Sequence, residues 1–412
     1  MSKIPQIVVQ VGGRNVQRLI SMSLRLSMRE LADSVTVEIG DDIPLSALSY
    51  GDSMAVAIEG RVVLVGEVLS FGKRRPAGSS SLTITGFSSA QRLAKSSIVI
   101  GDGVQNRTLN NLSMKQIVGQ VVAPFDMVVD VSETSAVVAN EPIPRIRIKK
   151  NEQAWDFLQR VARRQGCILV SGAASVSPDR KAKASIRITR NAARTSPVPI
   201  LRPHARTLDI GYELDGRAVH SQIFVKRKGG IGTRDADGTL KGLDGSATDD
   251  SVKYSPLVVD AEAGATTAAE LQRQAEWEVR KRRAEAFRMT VSMDGWSPNN
   301  TQALWWPNTL FRVDDRLEGF DDTMLLTTAT LTMDSGGTRA DLELLPPDAY
   351  AVLEDPSITG GGAGGSGSGG YRTNKEYLAQ HSGVVSEIAA ASDTVDFDAP
   401  KLDLIFKPGP DE

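Results

Sequence analysis

The sequence predicts a mainly β fold with an α+β insertion: two antiparallel β-barrel domains, a smaller α/β domain and an extended C-terminal tail. Three observations predict it. Apolar and polar residues alternate with a period of two in two separate stretches of the chain. Between these stretches, apolar residues follow helical spacing. A glycine-rich segment, GGGAGGSGSGG, then precedes the tail.

The first β-rich stretch covers residues 1–95. Leu24, Leu26 and Met28 alternate with polar residues there, and the same pattern recurs further along the stretch. Because successive side chains of a strand point to opposite faces, one set of these residues is buried. Hairpin connections between about five or six such strands predict a small antiparallel barrel or sandwich.

The middle of the chain combines helices and strands. Ser113 and Gln116 match a capping box, in which each residue satisfies a free backbone N–H group of the other at a helix start. A second helix is predicted over about 152–165, with Asn151 as its N-cap and Gly166 as its left-handed terminator.

The second β-rich stretch is interrupted by a loop and a helix. Residues 229–250 are rich in Gly and Asp and predict a long loop. A helix is predicted from about Ala268 to Ala286, with a capping box at Thr267 and Glu270. The block Gly295–Tyr350 then carries short strands between turn signals.

These patterns divide the chain into five parts. The glycine-rich segment is flexible by composition, so the tail beyond it is tethered to the folded part. The predicted parts are a first barrel (1–95), a mixed α+β domain (96–205), a second barrel with an inserted loop and helix at 229–286 (206–354), a Gly-rich linker (355–370) and a C-terminal tail (371–412).

Composition excludes several classes of protein. Forty-eight basic and 50 acidic residues give a net charge of −2, whereas a dedicated nucleic-acid-binding protein normally has a basic excess. The one cysteine, Cys167, cannot form an intrachain disulfide and is expected to be a buried core thiol. The N-terminus lacks the features of a secretory signal, and no apolar run approaches the roughly 20 residues that span a bilayer. We therefore expect a protein made in the cytoplasm, which stays there or leaves without such a signal.

Motifs of common enzymes and metal sites are missing from the sequence. It has no phosphate-binding GxxxxGK[ST] loop, no HExxH and no GxSxG. The segment Asp235–Gly238 is similar to a calcium loop, but its glycine comes too early and the distal glutamate is missing. We expect no catalytic, cofactor-binding or metal-binding residues, and hence no enzyme. An alternative is a hydrolase that uses the acidic residues Asp314, Asp315, Asp321 and Asp322, although acids in turns are more often solvated.

Aromatic and aliphatic residues are the better candidates for contacts. In the block Gly295–Tyr350, tryptophans serve either core packing or partner binding, and the pattern leaves both open. A tethered tail with apolar residues of its own is expected to reach a partner. The candidate partner-binding residues are Trp296, Trp305, Trp306, Phe397, Leu402, Leu404 and Phe406.

Several motifs, in their order along the chain, resemble one known family. They are LADSVTVEIGD at 31–41, NEQAWDFLQRVARRQGCILV at 151–170, AEWEVRKRRAEA at 275–286, LWWPNTLFRVDD at 304–315 and TMLLTTATLTMDSGGTRADLELLPP at 323–347. Together they resemble baseplate hub proteins of Mu-like contractile-tailed phages. That family is related to the T4-type hub and to the N-terminal module of type VI secretion spike proteins. The resemblance covers roughly residues 20–350 and excludes the linker and tail.

The resemblance implies a structural role in a virion. The two barrels would be tail-tube-like, and three chains would form a homotrimeric ring that joins a hexameric tail tube above to a trimeric spike below. Wedge and tape-measure proteins are further partners of this class, DNA would only pass through the lumen, and no stable membrane association is expected. The protein would be assembled in the host cytoplasm and would reside in the tail baseplate. The alternatives are the hub of a tailocin or type VI-like contractile injection particle and a tail-associated cell-wall hydrolase.

Overall fold

A computed structural model gives the structure of the chain. It describes residues 5–350 apart from 41–43, 75–79, 99–107, 150, 166, 176–181, 191–193, 197–198, 203–205, 227–232, 235–239, 242–243, 262–267 and 299–303. The predicted linker and tail, with the candidate residues Phe397, Leu402, Leu404 and Phe406, lie outside the described residues.

The secondary structure is dominated by strands, and the predicted mainly β fold is confirmed. The first strands are β1 (Ile7–Val11), β2 (Arg14–Asn15), β3 (Leu19–Ser27), β4 (Ser34–Ile39), β5 (Ser53–Ile58), β6 (Arg61–Arg74) and β7 (Ser81–Ser88). The middle strands are β8 (Thr108–Ser113), β9 (Val128–Val131), β10 (Pro142–Arg147), β11 (Ile168–Ser175), β12 (Ala182–Thr189), β13 (Arg194–Thr195) and β14 (Ile200–Arg202). The later strands are β15 (Thr207–Leu214), β16 (Gln222–Lys226), β17 (Thr233–Arg234), β18 (Leu240–Lys241), β19 (Asp244–Thr248), β20 (Pro256–Asp260), β21 (Phe287–Asp294), β22 (Thr309–Asp315), β23 (Phe320–Asp334) and β24 (Gly337–Leu345).

The helices are fewer and mostly short. They are α1 (Gln91–Lys95), α2 (Met114–Val122), α3 (Ala136–Asn140), α4 (Ala154–Arg164) and α5 (Ala268–Ala286). In the part of the chain that the structure describes, no helix is both long and apolar enough to cross a membrane.

One large sheet contains strands from both β-rich stretches. Its order is β15-β21-β24-β23-β3-β4-β7-β6-β5-β1-β2, and β22 pairs with β23 beside this path. These neighbours are antiparallel, whereas the short strands β13 and β14 pair with β22 in parallel. The sheet buries one apolar core that includes Leu24 and Val37 from the first stretch and Phe311 and Leu342 from the second.

The two stretches meet where β3 pairs with β23. Six residue pairs form this ladder, from Ser27 opposite Thr328 to Met22 opposite Met333. The hydroxyl groups of Ser27 and Thr328 also share a buried hydrogen bond of 3.1 Å. Residues some 300 positions apart are therefore neighbours, and the domain boundaries expected from the sequence stay a prediction.

The mixed region has small sheets and helices with a separate core. Strand β10 pairs with β8, and β11, β12 and β9 form a three-stranded sheet. The predicted capping box of α2 is confirmed, since Ser113 Oγ accepts from Gln116 N and the Gln116 side chain accepts from Ser113 N. Cys167 is buried in this core, where desolvation raises the pKa of its thiol.

The predicted helix near 152–165 is confirmed as α4, but its predicted cap is wrong. Gln153 takes the N-cap position without a side-chain bond, and Asn151 has a left-handed backbone with φ of 59°. Glu152 lies just before the helix, and its carboxylate accepts hydrogen bonds from Lys149 N and from the Arg160 guanidinium, neither of which is a free backbone N–H group of the helix start. The predicted terminator, Gly166, lies outside the described residues.

The insertion in the second stretch is a small α/β layer. Strands β19, β16 and β20 form a sheet against which α5 packs through Val225, Leu271 and Ala275. The bounds of α5 agree with the predicted helix. The prediction of a loop over 229–250 is wrong for Thr233–Arg234 and Leu240–Lys241, which are strands β17 and β18, and for Asp244–Thr248, which is strand β19. Its glycine and aspartate suggested a loop, but Gly245 lets the strand approach the α5 backbone, because a Cβ there would lie 2.1 Å from Leu271 C and O.

Gly66 in β6 is expected to be sensitive to any side chain. A Cβ at this position would lie 1.8 Å from the backbone oxygen of Phe87 on β7. We expect Gly66→Ala to reduce the free energy of unfolding by about 1–3 kcal/mol, because the two strands must separate. Chemical denaturation measures the loss. The matched control is Gly72→Ala on the same strand, where a Cβ meets nothing within 4 Å, and equal losses in both variants would contradict the prediction.

Asp33 joins the large sheet to the mixed region. Its carboxylate accepts hydrogen bonds from Ser27 N on β3, at 3.0 Å, and from Ser171 Oγ on β11, at 2.6 Å. The side chain is buried, and this desolvation raises its pKa from 3.8 to about 7 despite both hydrogen bonds. The neighbouring charge of Glu30 acts in the same direction.

This raised pKa predicts a pH dependence of stability. The folded state holds the Asp33 proton up to about pH 7, whereas the unfolded state loses it near 3.8. Its contribution to stability is therefore complete below the unfolded pKa and is lost as the pH rises through the folded pKa. We expect the stability advantage of wild type over Asp33→Asn to fall between about pH 4 and about pH 7 in urea unfolding, and to be level above that range. The control, Asp126→Asn, removes an exposed carboxyl whose pKa the Lys183 side chain lowers. The stability difference between wild type and this variant should therefore stay flat over the same pH range. A flat difference for Asp33→Asn as well would contradict the prediction.

Candidate assembly interface

The end of the β22–β23 hairpin holds a buried carboxylate. Asp315 is 0% exposed, and its Oδ2 accepts hydrogen bonds from Tyr212 OH at 2.8 Å and from Arg202 Nη1 at 3.2 Å. Its Oδ1 accepts from Leu317 N at 3.0 Å. Desolvation, together with the bond to Asp315, raises the pKa of Tyr212 above its ordinary value. This cluster fastens β14 and β15 to the hairpin end.

The other three acids of the hairpin have local partners. Asp321 forms two hydrogen bonds with the Arg312 guanidinium, at 2.8 and 2.6 Å, and both side chains are exposed. Asp314 Oδ2 lies 3.6 Å from Arg316 Nε, and Asp322 Oδ1 accepts a hydrogen bond from Thr323 N. These contacts explain the acids as structural turn and strand residues, so the geometry gives the hydrolase alternative no support.

Two of the three candidate tryptophans lie in the core. Trp296 is 4% exposed and donates from Nε1 to Thr332 O and Arg339 O, at 2.9 and 3.2 Å, which ties it to β23 and β24. Trp305 is 1% exposed, and its ring lies 5.2 Å from that of Phe311. Both therefore pack within the chain. Trp306 is half-buried and packs against the same core with part of its surface accessible. Partner binding by these residues stays a prediction.

The edge strand β15 presents apolar residues to solvent. Among the described residues, it pairs in a ladder with β21 alone and ends the strand order of the large sheet. Leu208 is 56% exposed and Leu214 is 65% exposed, and Tyr212 lies between them. Leu317, whose backbone N–H is held by Asp315, adds a further exposed leucine beside Tyr212. We call Leu208, Tyr212, Leu214 and Leu317 the β15 patch.

The β15 patch has the physical properties of an association surface. An edge strand carries backbone N–H and C=O groups that can pair with another chain. Exposed apolar side chains grouped together mark interaction sites more often than single ones do. The sequence pattern missed these residues, because alternation with Ile210 predicts that Tyr212 and Leu214 are buried. Only the position of β15 at the sheet edge shows that they are not.

Clusters of metal-ligating side chains are absent from the part of the chain that the structure describes. There, no group of three or more His, Cys, Asp or Glu side chains is placed to hold a metal ion. The hydrogen bonds of the hairpin acids and the burial of Trp296 and Trp305 instead stabilise the fold. The β15 patch and the accessible side of Trp306 are therefore candidates for contact with a partner.

Two segments match family models of baseplate proteins. Residues 90–174 match the second domain of gp44-like baseplate hub proteins, and residues 266–353 match the fourth domain of the Mu phage baseplate assembly protein GpP. These matches confirm the resemblance to Mu-like baseplate hub proteins that the motifs indicated. No curated protein matches the sequence.

Solved structures of phage tail proteins share the fold. The 43 kDa tail protein of prophage MuSo2 from Shewanella oneidensis is 23% identical, with a TM-score of 0.69 over 84% of this chain and 99% of that chain. A tail protein from Neisseria meningitidis MC58 is 19% identical, with a TM-score of 0.65 over 85% and 99% of the two chains. The prophage tail protein gp18 from Listeria monocytogenes EGD-e is 10% identical, with a TM-score of 0.51 over 92% and 99%.

Proposed function

We propose that this chain is a structural protein of a phage-type tail baseplate, because two of its segments match baseplate domains, and that three copies of it form the hub ring. The ring joins the tail tube on one face to the spike on the other and is not an enzyme. The β15 patch is the observation that carries this proposal, since exposed apolar side chains grouped on an open sheet edge favour association with another chain.

The presence of two β-rich stretches in one chain supports a ring that joins a sixfold tail tube to a threefold spike. Each copy contributes two β-rich stretches, which the β3–β23 ladder holds together in one sheet. Three copies then present six such stretches around one axis. A contact between two different surfaces closes into a ring when the rotation between copies matches the symmetry.

The contact between copies involves the two ends of the large sheet. Strand β15 of one copy meets the opposite end of the next copy's sheet, where β1 and β2 lie and Val8 is exposed. Backbone pairing gives the contact its direction, and the leucines of the β15 patch exclude water from it. The buried Asp315 cluster supports the patch, because it fixes Tyr212 and Leu317.

The remaining partners follow from the position of a hub in a tail. The tube and spike contacts include Trp306 and the tail residues Phe397, Leu402, Leu404 and Phe406, and wedge and tape-measure proteins contact the outside or the lumen. DNA passes through the lumen without stable binding, which agrees with a net charge of −2. Assembly takes place in the host cytoplasm before the baseplate joins the virion.

Electron microscopy and sedimentation of the purified protein test the ring. We expect threefold rings with a central hole and a mass three times that of the monomer. Leu214→Asp should weaken association roughly 10-fold or more, because it places a charge at the centre of an apolar contact. The control is Val137→Asp on α3, which charges an exposed valine outside the β15 patch. Compact monomers in the wild type would overturn the ring, and equal effects of both variants would overturn the patch as its contact.

Truncation tests the contribution of the tail. Deleting residues 360–412 is expected to impair attachment of the spike protein while the ring still forms. Co-sedimentation with the spike and microscopy of the truncated protein give the two readouts. Unchanged spike binding by the truncated ring would contradict this assignment of the tail.

A further inference from the structure

A polar cleft lies between the large sheet and the mixed region. Its volume is about 440 Å³, within the range of roughly 300–1,000 Å³ that is typical of ligand pockets. The end of β3 lines one side, β9, β11 and β12 of the mixed region line another, and Trp306, Pro307 and Asn308 close it. No part of the cleft belongs to the β15 patch.

Asn308 leaves an acceptor without a partner at this cleft. The residue is 7% exposed, and its Nδ2 donates to Arg190 O at 2.9 Å. Its Oδ1 is buried and has no hydrogen-bond partner. Buried polar groups are nearly always hydrogen-bonded, so an unpaired acceptor in a residue that lines a cleft indicates a missing donor.

The charges around the cleft favour a cation. Asp33, Asp130 and Glu133 line it, and among the lining residues that the structure describes, Arg187 is the basic one. Arg187 is already paired, since its Nε lies 2.6 Å from Asp130 Oδ2. The Asp33 carboxylate accepts two hydrogen bonds and has lone pairs left for further donors.

Trp306 provides an aromatic surface in the same cleft. It is half-buried and precedes Asn308 by two positions in the chain. A planar guanidinium group can stack on an indole ring while its five N–H donors reach separate acceptors. An ammonium group has fewer donors and no planar face, so it fits this combination less well.

We propose that this cleft binds an arginine side chain presented by a partner polypeptide, with its guanidinium between Asp33 and the Asn308 Oδ1 acceptor and against Trp306. The site gives the chain a second point of attachment, separate from the contact between copies. It does not depend on the ring proposed above.

Binding to this site depends on pH through Asp33. The charged groups that face Asp33 are Glu30 on its own segment and Asp130, Glu133 and Arg187 across the cleft. Because its carboxyl holds a proton up to about pH 7, the negative charge that attracts a guanidinium forms above this pH. Affinity should therefore rise with pH in a range where arginine itself does not titrate.

Isothermal titration of the full chain with N-acetyl-arginine amide tests the proposal. A ligand of this size is expected to bind with a Kd on the order of 1 mM near pH 8 and several-fold more weakly near pH 6. The citrulline analogue has the same shape without the charge and should not bind measurably. Equal binding of both compounds, or no binding of either, would overturn the proposal.

Variants assign the binding to the cleft. Asp33→Asn should weaken binding about 10-fold near pH 8 and remove its pH dependence. Trp306→Phe should weaken binding more modestly, which keeps the test available if Asp33→Asn does not fold. Asp126→Asn makes the same chemical change at an exposed carboxyl outside the cleft and should bind like wild type. Loss in Asp126→Asn equal to that in Asp33→Asn would contradict the site.

A last comparison separates two sources of the guanidinium. Agmatine carries the group on a free alkyl amine, whereas N-acetyl-arginine amide carries it on a peptide-like backbone. Tighter binding of the peptide-like compound supports a partner polypeptide. Tighter binding of agmatine would overturn that source and identify the cleft as a site for a free guanidino compound.

Discussion

Replacing Trp305 with alanine is expected to lower the free energy of unfolding by about 3–5 kcal/mol. The indole ring is fully enclosed, contacts the ring of Phe311 and donates from Nε1 to Gly295 O at 3.4 Å. Alanine would leave a cavity in the core that both β-rich stretches share, and it would free a buried carbonyl oxygen. Urea denaturation followed by circular dichroism measures the change.

The neighbouring tryptophan provides the control for this variant. Trp306 is half-buried at the rim of the same core, so Trp306→Ala should cost clearly less than Trp305→Ala. The two variants also separate packing from partner contact, since only Trp306 has accessible surface. Similar stability losses in both would contradict the assignment of Trp305 to packing.

Asp315→Ala is expected to cost about 3 kcal/mol, the lower end of the range for breaking a buried ion pair. The substitution removes the acceptor of Tyr212 OH, Arg202 and Leu317 N together. Arg202 keeps partial access to water, which limits the loss. Thermal or chemical unfolding gives the stability change, and sedimentation shows whether the loosened β15 patch still supports association.

The same hairpin supplies a matched control. Asp321→Ala removes an equivalent carboxylate from an exposed pair with Arg312, which is expected to contribute about 0–1 kcal/mol. If Asp321→Ala cost as much as Asp315→Ala, burial would not be the reason for the effect. Activity on cell-wall substrates that disappeared in Asp314→Asn or Asp321→Asn would revive the hydrolase alternative.

Local features of the fold could be predicted from the sequence. The period of two identified the strand with Leu24 and Leu26, and the capping-box pattern at Thr267 and Glu270 placed the start of α5. The capping box of α2 was predictable because both of its hydrogen bonds join residues three apart. The ion pair of Glu152 with Arg160 was not, because the two residues meet only after α4 has formed.

Features that depend on distant residues could not be predicted in this way. The alternation of Ile210, Tyr212 and Leu214 has the same appearance in a central strand and in an edge strand. The prediction of Trp296 and Trp305 as contact residues likewise could not distinguish a core from an interface, since both use large aromatic side chains. The cleft between Asp33 and Asn308 joins residues whose separation in the chain carries no signal.

The β3–β23 ladder also determines how late in synthesis the large sheet can form. Strand β3 leaves the ribosome early, but its partner is made only after more than 290 further residues have been added. Until then, β3 has an open side, and pairings across long stretches of chain form slowly. The large sheet is therefore completed only after β23 and β24 have been made, together with the strands that hold the β15 patch in place. A chain that stops before β23 and β24 would lack the strands that join β15 and β21 to the rest of the sheet.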